Sequence, residues 1–257
     1  MPEIFRWLIL LALIGLLLAG SIRKGKFMPD KFFIALLLVF MLPGLIATFV
    51  NGIRDLFVNY NIYYGLLIGL GIGLPFAFII KRFVGFSTFE HEATHAFVTM
   101  LFFRKITAFV VTKSEGGYVQ HRGRTGGKFG DHMITLAPYF LPLFVFVFAL
   151  MRPLLGPAFF PWWDIWIGIW FTFYLFTYFS EIKSQWTKEG FKYAGTDTSA
   201  TTDIAKEGYI FSFLFILFMT LFFYGLILNI IYDGYGGLFS QFGEIFRQNK
   251  WFYGWIF

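Results

Sequence analysis

His91-Glu92-Ala93-Thr94-His95 lies within a strongly apolar stretch running from Val84 to Phe103. Read as a helix, it sets His91 and His95 four residues apart on one face, where two imidazoles can reach a single metal ion. Glu92 stands one step round that helix, where a carboxylate can take a proton from water activated by the ion. The chain has only four histidines in 257 residues, so the pattern is not the by-product of a histidine-rich composition. The expectation is a helix carrying a zinc-hydrolase site in a membrane setting.

Composition supplies the setting. Hydrophobic residues make up 58% of the chain and charged residues 14%, with 39 phenylalanines, whereas soluble domains carry about 25% charged residues. The predicted fold is an all-α polytopic membrane protein with about six transmembrane helices. The stretches long and apolar enough to cross a bilayer, for which roughly 20 residues are needed, are Ile4–Gly20, Phe32–Val50, Ile62–Ile80, Ile134–Met151, Phe159–Ser180 and Tyr209–Ile231. The chain has no cysteine, which excludes disulfides, thiolate metal sites and a cysteine nucleophile. The first stretch has the outline of a signal peptide, with Arg6 before it and Ala19-Gly20-Ser21 behind. Arg23, Lys24 and Lys26 follow at once, however, and resist translocation, so it reads as a retained span.

The net charge of +6 is spread through loops and does not point to nucleic acid. If the six spans alternate with the loop around Arg23–Lys31 inside, sixteen basic residues lie inside and five outside, as the positive-inside rule expects. That count requires the HExxH helix not to cross. Ser87-Thr88-Phe89-Glu90 fits a capping box that would start the helix after Gly85. A helix from Thr88 to Phe103 is about 24 Å long, short of the ~30 Å hydrocarbon core. A partly inserted HExxH helix is therefore predicted.

Ile106-Thr107-Ala108-Phe109-Val110-Val111-Thr112 is β-branched and aromatic, Gly116-Gly117 signals a turn, and Tyr118-Val119-Gln120 resumes strand character. This predicts a small β-hairpin directly after the metal helix, either an interfacial cap or an edge, around Phe109, Val110, Val111 and Thr112, on which an extended substrate can pair. Pro138 and Pro142 fall inside the Ile134–Met151 stretch, where they kink a packing helix or shape a water-accessible cleft. The tail from Gly236 has Leu238, Phe242, Ile245 and Phe246 at helical spacing, then Trp251, Phe252, Tyr253 and Trp255. It reads as an aromatic interfacial helix on the outer face. The chain divides into three N-terminal spans (1–82), a core (83–231) and this tail (232–257), within a single membrane domain.

A catalytic zinc normally takes three protein ligands and leaves a position for water. The third must meet the HExxH helix at one depth. Asp203, on the same predicted inside face at the foot of the last span, is the choice, although it also fits an N-cap of that span. Glu181, Glu189 and Asp197 share its loop but stand further from a helix end. His132 is possible, whereas Asp131 reads as a helix cap and His121 as an ordinary polar residue of the hairpin. Asp233 lies at the wrong end of the last span, roughly 35 Å away at helical rise.

Phe89-Glu90-His91-Glu92-Ala93-Thr94-His95-Ala96-Phe97, then Gly116-Gly117-Tyr118, then Leu136-Ala137-Pro138-Tyr139-Phe140-Leu141-Pro142, resembles a small bacterial branch of the site-2 protease family. Thr202-Asp203-Ile204 resembles the aspartate element of that branch, and the similarity covers roughly Phe83 to Phe213. The Asn-x-x-Pro-x-Pro-x-Leu-Asp-Gly element of better-known members is missing. The resemblance implies a membrane-embedded zinc metallopeptidase, with His91 and His95 as ligands, Glu92 as base, an aspartate as third ligand and the hairpin as a substrate-presenting sheet. The implied partners are the lipid bilayer and a membrane protein or peptide substrate. The implied location is a bacterial inner membrane, with the site towards the cytoplasm.

Two other readings stand beside this one. A glutamate, Glu181 or Glu189, can complete the site instead of Asp203. A catalytically silent membrane scaffold or chaperone can retain the metal for stability, although such a site has no need of Glu92. A di-iron oxidase needs more histidines than the chain has, and charges within the spans are too scarce to mark a transporter's ion path.

Overall fold

A computed structural model describes residues 3–23, 26–80, 84–112, 117–186 and 203–256. In chain order the helices are α1 (Glu3–Gly20), α2 (Pro29–Val58), α3 (Tyr60–Ile80), α4 (Val84–Leu101), α5 (Gly127–Leu136), α6 (Leu143–Met151), α7 (Phe160–Trp186), α8 (Asp203–Glu207), α9 (Tyr209–Asp233) and α10 (Gly236–Ile256). Two small antiparallel hairpins interrupt them: β1 (Ile22–Arg23) with β2 (Lys26–Phe27), and β3 (Lys105–Val111) with β4 (Gly117–Arg122). The all-α membrane class is borne out, small hairpin included.

Among the described residues, three helices are long and apolar enough to cross a membrane: α2, α3 over Tyr60–Ala77, and α9. A fourth span exists only if α5 and α6, with their flanking turns, are counted together, and that pair is bent by 95°. The expected continuous span Ile134–Met151 is thus corrected to a broken one. Pro142 has no N–H to offer the carbonyl of Pro138, four residues back, and Tyr174 Oη on α7 donates to that carbonyl instead at 3.0 Å. The long α7 is rich in tryptophan and carries Asp164, and it falls outside the three.

Small residues decide how α7 is held. Gly65, Gly69 and Gly73 form one stripe of α3, and a Cβ at any of them would fall under 3.0 Å from atoms of α7 between Pro161 and Thr172. The contacts advance in step along both helices, so α3 and α7 run parallel with their backbones almost touching, the close packing that glycine allows in apolar surroundings. On α7, Arg152 from the preceding turn clamps Asp164 through two hydrogen bonds of 2.6 and 3.0 Å, both residues being buried.

Helix α2 also runs parallel to α9. Lys31 meets Glu207, just before α9, at one end, and Gly52 faces Leu228 towards the other. The first turns of α2 and α9 and the last turn of α3 therefore share one end of the bundle with α8. The core has two clusters along the bundle axis. One, around Leu136, Tyr139, Phe140, Ile204 and Phe211, underlies the α8 end. The other, around Tyr63, Val145, Ile167 and Ile230, fills the opposite end. Outside, Phe33, Leu37, Phe57 and Ile79 are among the exposed apolar residues, as suits helices that face lipid.

The tail forms the expected helix, but its buried stripe is partly polar. Gln241 and Asn249 are buried with Ile245, while Phe242 and Phe246 are exposed. Asn249 Oδ1 accepts from the Gly44 N–H at 2.8 Å, and Tyr253 Oη donates to the Phe40 carbonyl at 2.8 Å. Both contacts fall where Pro43 interrupts the hydrogen bonding of α2. Helix α10 thus folds back antiparallel to α2 and repairs its backbone.

Candidate metal centre

Helix α4 begins at Val84, so Ser87 lies inside it and the expected capping-box start is corrected by one turn. Its 18 residues make it about 27 Å long. It ends in a left-handed turn at Phe103 (φ 53°), where the Arg104 N–H reaches back to the Thr99 carbonyl at 3.1 Å. That turn sends the chain straight into β3. Arg104, buried, then bonds Thr125 and Gly127 carbonyls and the Asp131 carboxylate at 2.6 Å. Asp131 lies within α5 and pairs with this guanidinium; it does not cap a helix.

His91 and His95 meet as the helical spacing requires, with their Nε2 atoms 3.2 Å apart. His95 Nδ1 lies 2.6 Å from the Ile134 carbonyl on α5. A carbonyl can only accept, so Nδ1 carries the proton and Nε2 is left with its lone pair facing the site. Asp203, the first residue of α8, brings Oδ2 to 3.8 Å from His91 Nε2 and 3.5 Å from His95 Nε2. Burial pushes the Asp203 carboxyl up, but the two imidazoles beside it outweigh that and hold it well below the usual carboxylate range.

Three donor atoms converging on one point fit a metal ion. Bonds of 2.0–2.1 Å in a tetrahedral site put ligand atoms about 3.3 Å apart, close to the separations of 3.2, 3.5 and 3.8 Å found here. Two imidazole nitrogens and one carboxylate oxygen are a donor set suited to zinc, and they leave a fourth position open. Among the described residues, His91, His95 and Asp203 are the only group of three metal-type side chains that meets this condition.

Glu92 is buried, and the hairpin closes on it. A Cβ on Gly117, the first residue of β4, would stand 2.5 Å from Glu92 Cγ and 2.7 Å from the Val110 carbonyl oxygen. Only glycine leaves room there for the carboxylate. Phe109 of β3 packs edge-on against Phe89 of α4, with centroids 6.1 Å apart. Among the described residues, strand β3 pairs with β4 alone, from Lys105↔Arg122 to Val111↔Gly117, with an irregularity between Ile106 and Ala108. Of the expected substrate strand, Phe109, Val110 and Val111 lie in β3 beside the HExxH helix, while Thr112 falls just beyond the end of the strand. An apolar cleft of about 350 Å³ between α7 and α9, lined among others by Tyr178, Ile182, Ile204, Phe213 and Leu217, opens beside the neighbour of Asp203.

The remaining candidates fall elsewhere. His132 points away from the metal group, contacting Asp30 and Glu207. His121 is half-buried on β4 with its Nδ1 enclosed, and burial followed by the nearby Arg104 charge keeps its pKa low. Asp233 closes α9 at the opposite end of the bundle. Glu181 belongs to the α7 backbone, while Glu189 and Asp197 lie outside the described residues. Sequence reasoning missed the Ile134 carbonyl, because a main-chain acceptor leaves no mark in residue type. It also missed the Lys31, His132 and Glu207 cluster, whose members come from three separate segments.

An apolar helical bundle thus holds two histidines of an HExxH helix against an aspartate, with the adjoining Glu92 buried. The family comparison agrees: residues 66–184 match the Peptidase M50B-like family model, so the chain carries a site-2 protease-family domain over those residues. Over those residues the match supports a membrane metallopeptidase at the family level. The match takes in His91, Glu92, His95, the hairpin and α5 to α7, and ends before Asp203. Neither the comparison with curated proteins nor that with solved structures yields a match.

Proposed function

We propose that this protein is an intramembrane zinc peptidase that hydrolyses peptide bonds within or beside the membrane segments of other proteins. The observation that carries the reading is the convergence of His91 Nε2, His95 Nε2 and Asp203 Oδ2 next to Glu92. His91, His95 and Asp203 would hold the zinc, which would supply a Lewis acid able to make water nucleophilic near neutral pH and to polarise a scissile carbonyl. Glu92 takes the proton of the attacking water and delivers it to the leaving amine nitrogen. His95 is kept in its metal-binding tautomer by the Ile134 carbonyl.

A peptide bond inside a helix is screened by its own hydrogen bonds, so the substrate must unwind locally. The backbone of Phe109–Val111 offers an extended template beside the metal helix. The apolar cleft between α7 and α9 offers a lipid-like approach from the side. Orientation with the metal end in the cytoplasm of a bacterial inner membrane is supported by the charges there. Lys31, Arg104, Lys105, Arg122, Arg124, Lys128 and Lys206 cluster towards that end, whereas Arg54 and Arg152 lie at the other.

The test uses the full chain reconstituted with a single-span substrate, comparing wild type, Glu92→Gln, His91→Ala and Asp203→Ala for cleavage and zinc content. Glu92→Gln is expected to keep zinc and lose cleavage by a factor of about 10² to 10⁴. The two ligand variants are expected to lose both. Cleavage by Glu92→Gln at the wild-type rate sinks the mechanism. Zinc retained in Asp203→Ala transfers the third-ligand role to Glu181 or Glu189, and a well-folded wild type that takes up no zinc favours a silent scaffold.

A further inference from the structure

Asp203 reaches the metal centre from a helix too short to hold itself in place. Helix α8 has five residues, Asp203–Glu207, little more than one turn, and such a segment has no stability of its own in isolation. Gly208 follows with φ 93°, separating α8 from the long α9. What locates α8 is therefore what grips its buried side chains. Ile204 is 1% exposed and packs into the core with Phe211 and Leu136. Glu207, four residues after Asp203 and so on the same side of the helix, enters a buried cluster of charge.

In that cluster Lys31, only 2% exposed on the first turn of α2, meets the Glu207 carboxylate at 2.8 Å and also donates to the Glu207 backbone carbonyl. His132 of α5 brings Nδ1 to 2.7 Å from the same carboxylate, and its Nε2 lies 3.2 Å from Asp30, which in turn pairs with Lys128. Burial pushes the Glu207 carboxyl up, but its contacts with His132 and Lys31 outweigh that and bring it down to about 2. Two residues beyond His132, the Ile134 carbonyl fixes His95. One helix, α5, thus holds a histidine of the metal group through its backbone and the helix of Asp203 through a side chain.

We propose that Lys31, His132 and Glu207 are positioning residues that set Asp203 against the His91–His95 pair, so that a cluster which never touches the metal governs the affinity of the site. The inference rests on the reading of Asp203 as third ligand. A buried ion pair contributes little net stability once desolvation is counted, but it fixes direction: only one placement of α8 puts the carboxylate between the ammonium and the imidazole. An apolar contact in its place tolerates sliding and rotation. Movement of about 1 Å would take Asp203 Oδ2 out of coordination distance.

The experiment measures zinc affinity of the detergent-solubilised full chain by competition with a chromophoric chelator, together with the cobalt(II) d–d absorption and the unfolding temperature of the metal-free protein. The variants are Glu207→Gln, Lys31→Met, the double variant Lys31→Met/Glu207→Met and Asp203→Ala. Glu207→Gln and Lys31→Met are expected to weaken zinc binding by about 10- to 100-fold and to alter the cobalt band towards that of Asp203→Ala. Should either single variant fail to fold, the double variant decides, since paired apolar replacement of a buried ion pair is often neutral for stability. It is expected to fold and still bind zinc weakly with an altered cobalt spectrum. Wild-type affinity and spectrum in the double variant, alongside weak binding by Asp203→Ala, overturn the positioning role and leave the ligand assignment intact. Wild-type affinity in Asp203→Ala overturns the assignment itself.

Discussion

At the scale of single residues, space around the proposed base is as decisive as its chemistry. Gly117 lies against Glu92 so closely that Gly117→Ala would set a methyl 2.5 Å from Glu92 Cγ, with the Val110 carbonyl oxygen closing the other side. The carboxylate must swing away, and displacements near 1 Å can lower turnover by about 100-fold. Gly117→Ala is expected to retain zinc and KM while kcat falls by about that factor, as steady-state cleavage assays would show. Zinc loss would instead mean that the hairpin supports the ligands. At the opposite end of the bundle, Arg152→Ala strands Asp164, 1% exposed, without its guanidinium. The expected cost is about 3–5 kcal/mol, and Arg152→Met combined with Asp164→Leu is expected to recover most of it in thermal unfolding. The fall in stability is expected without any change in zinc content, since both residues are remote from α8.

Between elements, the contacts that hold the bundle are ones no hydropathy profile displays. Helices α3 and α7 meet through the Gly65, Gly69 and Gly73 stripe, whereas a Cβ on Gly71 of the same helix meets nothing within 4 Å. Gly69→Leu is expected to destabilise the protein by about 3 kcal/mol or more, and Gly71→Leu to be nearly silent, as measured by loss of soluble protein on heating in detergent. Equal effects would mean that the α3–α7 contact does not limit stability. The Glu207 cluster adds a dependence on pH. Its carboxyl is lowered from 4.5 to about 2 in the folded protein, so its contribution to stability is complete above about pH 4.5 and is lost as pH falls through about 2. The stability difference between wild type and Glu207→Gln is therefore expected to be constant above pH 5 and to shrink below 4.5.

Across the whole molecule, the proposed metal centre joins α4 to α8, segments separated by the hairpin, the broken span and α7. An ion bound to the folded protein alone stabilises it by mass action, about 4 kcal/mol at a free concentration a thousand times the Kd. Chelation is expected to lower the unfolding temperature of wild type reversibly, and His91→Ala to show no response to chelator or added zinc. A response of equal size in His91→Ala would place the stabilising ion elsewhere. The same bundle explains why the tail is not a free interfacial helix. Asn249 and Tyr253 supply hydrogen bonds that α2 lacks around Pro43, so α10 completes a span as well as covering it.

The HExxH helix, the membrane class and the hairpin were legible in the sequence because each depends on local spacing. Four residues bring His91 and His95 together on any helix, and β-branched residues on either side of Gly116-Gly117 pair across a turn whatever surrounds them. Asp203 could be selected from sequence by the end of the bundle it had to occupy, since topology restricts depth. Tertiary structure alone decided the rest. The break at Pro138 and Pro142 becomes tolerable because Tyr174 reaches the orphaned carbonyl. His95 takes its tautomer from a main-chain oxygen of α5. Asp203 stands on a helix whose Glu207 meets Lys31 and His132 and whose Ile204 is buried, residues that helical periodicity cannot relate to one another. Local periodicity follows from backbone geometry and is written in neighbouring residues; the placement of Asp203 beside the two histidines follows from contacts between distant segments, and those exist only once the chain has packed.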